Sequence, residues 1–135
     1  MSDSELVAWA EDWIAFWLAP EGSAEREAKR EATMREWSVI QYEPDRAWQF
    51  ILEVLRRNHS DEILQVLSAG PLEDLLVKHG DAFIDRIETE ARSNSLFAKL
   101  LGGVWRNAMA YHIWLRVQKA WDRRGWDGIP EGWTH

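Results

Sequence analysis

Cysteine is absent from all 135 residues, which excludes disulfides, thiolate metal sites and cysteine nucleophiles and fits a reducing compartment. Proline occurs only four times. No window approaches the ~18 consecutive apolar residues of a membrane span. The start, Met1 to Glu5, is polar and acidic, without the basic residues and apolar run of a secretory leader. No stretch alternates apolar and polar residues as a half-buried strand does. The phosphate-cradling patterns GxxxxGK and GxGxxG, the zinc pattern HExxH, the calcium loop and the GxSxG elbow are missing as well. These absences point to a soluble, cytoplasmic, all-α chain that needs no cofactor and no metal.

What is abundant is tryptophan, ten in all, together with acid: 23 Asp and Glu against 16 Lys and Arg, a net charge of −7. The charge is uneven. Residues 1–90 hold 20 acids and nine basic residues, a balance of −11, whereas residues 91–135 hold three acids and seven basic residues, a balance of +4. The halves can attract each other, or an acidic face can attract a basic partner. Tryptophan combines a large apolar area with one N–H that needs an acceptor. Most of the ten are expected in the core.

Helical periodicity runs through the chain. Trp9, Trp13 and Trp17, spaced by four, share a face of a first helix over residues 3–19, before Pro20 and Gly22 break it. A second helix is expected from Ser23 to about Gln41, charged at first, with Met34, Trp37, Val39 and Ile40 entering the core. Pro44 suits the first turn of a third helix, striped by Ala47, Trp48, Ile51, Leu52 and Leu55 and ended by Asn58. Ser60 and Asp61 start a fourth. In "LSAGPLEDLLVKHG", Gly70 is expected in the left-handed conformation that ends a helix, Pro71 opens the next, and Gly80 ends that one in turn. Asp81 opens another, Ser95 caps "LFAKLLGGVW", and a last helix covers residues 108–124 with Tyr111, Trp114, Leu115, Gln118 and Trp121 as its principal stripe. The expected architecture is one domain, residues 1–124, of about eight helices in antiparallel, roughly HEAT-like pairs, followed by a Trp-, Gly- and Pro-bearing tail over residues 125–135.

The segment "AGPLEDLLVKHGDAFIDRIETEA" followed by "FAKLLGGVW" resembles a small uncharacterised bacterial domain family. That family is marked by an AGPLE-LL-HG core, an F-I-IE-A helix and a GVW turn. The matching positions are Ala69 to Leu76, His79, Gly80, Phe83, Ile84, Ile87, Glu88, Ala91, Gly103, Val104 and Trp105, with "PDRAW" at Pro44 to Trp48 also fitting. The resemblance spans mainly residues 44–117. It implies a helical fold and a bacterial or phage origin, and it brings no activity with it.

Few residues suggest chemistry. His79, near Asp74, Asp81, Asp85 and Glu88, has the makings of an acid–base pair, but a histidine at a helix C-terminus also caps carbonyls there. Glu73, Asp74, Asp85 and Glu88 could face a divalent cation, yet read more simply as solvated acids. His112 reads as a core-edge histidine, and Ser68 and Ser95 lack a nucleophile's surroundings. Arg116, Lys119, Arg123 and Arg124 with Trp121 and Trp126 form a basic–aromatic cluster of the sort that stacks on single-stranded nucleic acid. Pairing with the acidic half is the simpler reading, so nucleic acid is not an expected partner, nor is a membrane. The favoured function is a small acidic protein-binding module that occludes a protein partner with a basic surface, the profile of immunity proteins, antitoxins and phage-encoded inhibitors of bacterial defence. Its contacts are expected between Glu21 and Glu36, above all Glu21, Glu25, Glu27 and Glu31, and on the exposed acids of the first helix, with Trp126 and Trp133 as aromatic anchors where they do not fold back. The alternatives are an enzyme or small-ligand domain centred on His79, Asp85 and Glu88, and a structural subunit such as a homodimer.

Overall fold

The structure, a computed structural model, describes residues 2–126. Every regular element among them is helical. Within the stretch read as one domain, the chain gathers into two compact units, Met1–Val66 and Leu67–His135, whose boundary falls in the last turn of one helix.

The first unit is organised around α1, Asp3–Leu18. Ser2 caps it by accepting the Glu5 N–H at 3.2 Å, as a serine before a helix does. The four-residue tryptophan spacing does face inward: Leu6, Trp9, Ala10, Trp13 and Phe16 are buried. The expected second helix is instead two, α2 (Ala24–Ala28) and α3 (Arg30–Tyr42), broken at Lys29 with φ −108° and ψ 7°. Tertiary ties at the joint oppose continuation. Lys29 reaches Asp12 on α1 at 2.9 Å, and Arg26 donates to the Phe16 and Trp17 carbonyls at the end of α1. Next comes α4, Pro44–Arg57, with proline in its first turn and Asn58 extended at its end. Its inward face carries Trp48, Phe50, Ile51, Val54 and Leu55. α1, α3 and α4 pack against one another. Trp9 stacks on Phe50 with ring centres 3.8 Å apart, and Trp13 meets Phe50 edge-on at 5.6 Å. α5, Asp61–Leu67, starts behind Ser60 and buries Ile63, Leu64 and Leu67.

The second unit starts without the expected corner. Gly70 does not take a left-handed φ. Ser68–Leu72 instead form a π-helical turn, in which the Glu73 N–H donates to the Ser68 carbonyl five residues back. Pro71 has no N–H to give a narrower ladder, and the helix widens around it rather than stopping. α6, Glu73–Ser93, follows and runs through the predicted stop at Gly80. The sequence signal survives there as a kink, with His79 at φ −134° and ψ 27°. Gly80 also lets the last helix come close: a Cβ there would lie 3.1 Å from the Ile113 side chain. α7, Ser95–Leu101, is capped by Asn94, whose side chain accepts the Phe97 N–H, and not by Ser95.

The last helix, α8, is Tyr111–Ala120, shorter than expected at both ends. After Trp121 the chain turns back onto the carbonyls at the end of α7. Asp122 N–H donates to Ala98 O at 2.9 Å, Trp126 Nε1 to Lys99 O at 2.7 Å, and Arg123 Nη1 to Gly102 O at 3.0 Å. Ala98 O and Lys99 O also accept the Gly102 N–H, so the returning chain adds a second donor to each at the helix end. The stripe on α8 is also displaced from the expected one. Ile113 and Val117 are buried, whereas Tyr111 and Leu115 are exposed.

Candidate partner-binding surface

Two large residues expected in the core stand on the surface of α3. Met34 is 70% and Trp37 60% exposed, and Tyr42 at the end of the helix is 72% exposed. The inward stripe is Ala32, Val39 and Ile40, which puts Trp37 on another side of the helix. The space is already filled from α1. Buried indoles need acceptors, and α3 supplies them: Trp9 Nε1 donates to Ala32 O at 2.7 Å, and Trp13 Nε1 donates to the Glu36 carboxylate. A small residue and a carboxylate therefore face inward while the large apolar ones face out. Trp37 and Tyr42 meet edge-on, ring centres 6.0 Å apart, so the exposed rings form one patch. Nor is tryptophan buried as a class. Of the nine in the described residues, only Trp9, Trp13 and Trp48 are buried.

The acidic residues expected to meet a partner lead up to that patch. Glu21, Glu25, Glu27 and Glu31 are all exposed, in the turn before α2, on α2 and in the first turn of α3. Ser23 caps α2 by accepting the Arg26 N–H at 3.1 Å. Two of the basic residues between the acids, Arg26 and Lys29, are engaged by α1, and Arg30 pairs with Glu27. The Arg26 guanidinium lies over the Phe16 and Trp17 rings as well as bonding their carbonyls, and Lys29 is held by Asp12. Arg30 binds Glu27 at 2.6 and 2.8 Å, and that hydrogen bond, with the attraction of the guanidinium charge, holds the Glu27 carboxyl below the ordinary range. Glu21, Glu25 and Glu31 keep their charge uncompensated among the described residues. Glu31 also lines a cleft of about 220 Å³ between α1 and α3, with Glu5, Asp12, Trp9 and Arg35.

The expected aromatic anchors fare differently. Trp126 is half-buried, with its ring over Gly102 and Gly103 and its N–H spent on the Lys99 carbonyl. It has folded back. Trp133 lies outside the described residues.

The residues considered for acid–base or metal chemistry are drawn into separate ion pairs and turns. Arg116 on α8 donates to Glu88 at 2.5 and 2.9 Å and to Asp85 at 2.6 Å. Its hydrogen bonds to Glu88 and Asp85 raise the arginine's pKa, and the same contact keeps Glu88 below the usual carboxylate range. His112 pairs with Asp81 at 2.7 Å on the surface, and His79 sits half-buried in the kink of α6. No group of three or more metal-ligating side chains comes together among the described residues. The basic–aromatic cluster is likewise distributed: Arg116 goes to α6, Arg123 lies over Trp121 and bonds Gly102, and Arg124 pairs with Asp122 at 2.7 Å.

Glu73, expected to be a solvated acid, is buried instead. It is only 7% exposed, directly after the π-helical turn, and accepts the Trp105 backbone N–H at 3.0 Å and the Asn107 side chain at 3.2 Å. It pins the loop between α7 and α8, where Asn107 holds a left-handed φ of 47° and Trp105 is 65% exposed. The signal lay in the AGPLE and GVW motifs, whose Glu73 and Trp105 are 32 residues apart in sequence and joined only in space. Beside it, Asp74 has its carboxyl pushed up by burial and by the Glu73 charge.

One family model, described as a family of unknown function (DUF6869), matches residues 20–125. No curated protein and no solved structure matches the chain.

Proposed function

The chain belongs to that family of unknown function, and we propose that it is a protein-binding module that acts by occluding a partner with a basic surface. One observation carries the reading: the exposed Met34, Trp37 and Tyr42 continue, along α3, from the uncompensated Glu21, Glu25 and Glu31. Met, Trp and Tyr are side chains over-represented at protein interfaces, and charges around such a patch set the approach rate and reject wrong partners. Immunity proteins, antitoxins and inhibitors of bacterial defence work through surfaces of this type and need no catalytic group. The partner-contacting residues are Glu21, Glu25, Glu27 and Glu31, with Trp37 as the central anchor in place of Trp126.

Affinity capture from the native host's lysate, at low and high salt, tests the reading. A single dominant partner should be retained by the natural chain. Trp37→Ala should weaken it by about tenfold or more, the usual scale of an interface tryptophan. Charge reversal at Glu25, Glu27 and Glu31 should slow its association. Capture that survives both changes would remove the α2–α3 surface as the site.

A further inference from the structure

Eight large apolar side chains are exposed among the described residues, and six of them fall on two faces, one in each unit. The first is the α3 face, Met34, Trp37 and Tyr42. The second belongs to the loop after α7 and to α8: Trp105 is 65%, Tyr111 59% and Leu115 40% exposed. Tyr111, Leu115 and Lys119 stand four residues apart on α8, which places them on one side of it. Arg106 lies over the Tyr111 ring at 5.2 Å and so joins the loop to that side.

The two faces carry opposite charge. Residues 105–120 contain Arg106, Arg116 and Lys119 and no acid. Arg116 is neutralised by Asp85 and Glu88, which leaves Arg106 and the exposed Lys119 beside the rings. The α3 face has Glu21, Glu25 and Glu31 along the approach to it and the exposed Glu43 after Tyr42. The second face is also held in shape. Glu73, a carboxylate removed from water at a cost, fixes the Trp105 N–H and the Asn107 side chain.

We infer that the loop-and-α8 face docks on the α2–α3 face of a second copy of this chain. Apolar rings meet apolar rings, and Arg106 and Lys119 meet the uncompensated glutamates. Such a contact pairs two different surfaces of the chain. It occupies the face assigned above to a protein partner, so self-association competes with partner capture. The inference shares that face with the earlier reading and adds the second one.

Light scattering or sedimentation over a range of concentrations tests it with two variants altered at exposed positions. Trp37→Ser removes the centre of one face; Trp105→Ser with Lys119→Glu spoils the other. The natural chain should exceed its one-chain mass of 15.8 kDa increasingly with concentration and less so at high salt. Each variant alone should stay at the one-chain mass. Mixed in equal amounts they should form a two-chain species, because one intact face of each kind remains. A natural chain that keeps the one-chain mass throughout, a variant that associates like the natural chain, or a mixture that stays at the one-chain mass would each overturn the inference. The Trp105→Ser, Lys119→Glu variant keeps the α3 face and should still capture a separate partner. Capture lost in that variant would speak against the earlier reading, whereas self-association retained in it would speak against this one.

Discussion

At the scale of single residues, the deciding fact is where a polar atom finds its partner once it leaves water. The Trp9 and Trp13 N–H groups determine what α3 turns inward, and the Glu73 carboxylate determines the course of the loop after α7. Glu73→Ala strips both loop donors of their acceptor. A donor left unsatisfied costs about 1–3 kcal/mol, so chemical denaturation should show a loss of that size. Hydrogen exchange at the Trp105 amide should accelerate by about tenfold or more. If exchange there stays at the natural rate, the carboxylate does not hold the loop. Asp74 behaves oppositely. Burial first, and the Glu73 charge second, raise its folded-state pKa, so the folded protein prefers the protonated form. Its contribution is present at acid pH and lost as pH rises through that raised value. Asp74→Asn should therefore raise the melting temperature at neutral pH, with the gain shrinking in acid where natural Asp74 is already protonated. A gain independent of pH would contradict this cause.

At the scale of elements, glycine and proline mark the right places but not the right events. Near Gly70 and Pro71 the helix widens, and at His79 and Gly80 it kinks. Gly80 and Gly102 admit close neighbours. A Cβ on Gly102 would stand 2.2 Å from the Asp122 carbonyl oxygen, a backbone atom that cannot swing aside. Gly102→Ala should thus cost about 1–3 kcal/mol, the usual range for overpacking, and free the Asp122 N–H from Ala98. Gly80→Ala meets only the Ile113 side chain at 3.1 Å and should cost less. Melting curves for the two variants, with amide exchange at Asp122, check the order.

At the scale of the whole molecule, the uneven charge is the property with the widest reach. A net charge of −7, combined with an acidic approach to an aromatic patch, favours fast, salt-sensitive association with a basic surface. The association rate of the captured partner should fall steeply between low and physiological salt, while its dissociation rate changes little. A rate indifferent to salt would separate the patch from its charges.

The all-helical class, the inward tryptophan face of α1, the stripe on α4, the proline start of α4 and membership of an uncharacterised domain family were legible from the sequence by itself. Each depends on periodicity or on a residue's own backbone limits, which are local. Tertiary structure alone decided which of two apolar stripes on α3 and α8 is buried, where the second predicted helix breaks, and why Glu73 is inside. Those outcomes depend on what other elements have already filled and on which buried donors need acceptors. Trp37 illustrates the division: its place on a helix was readable from spacing, but its exposure follows from the indoles of Trp9 and Trp13 having taken the interior.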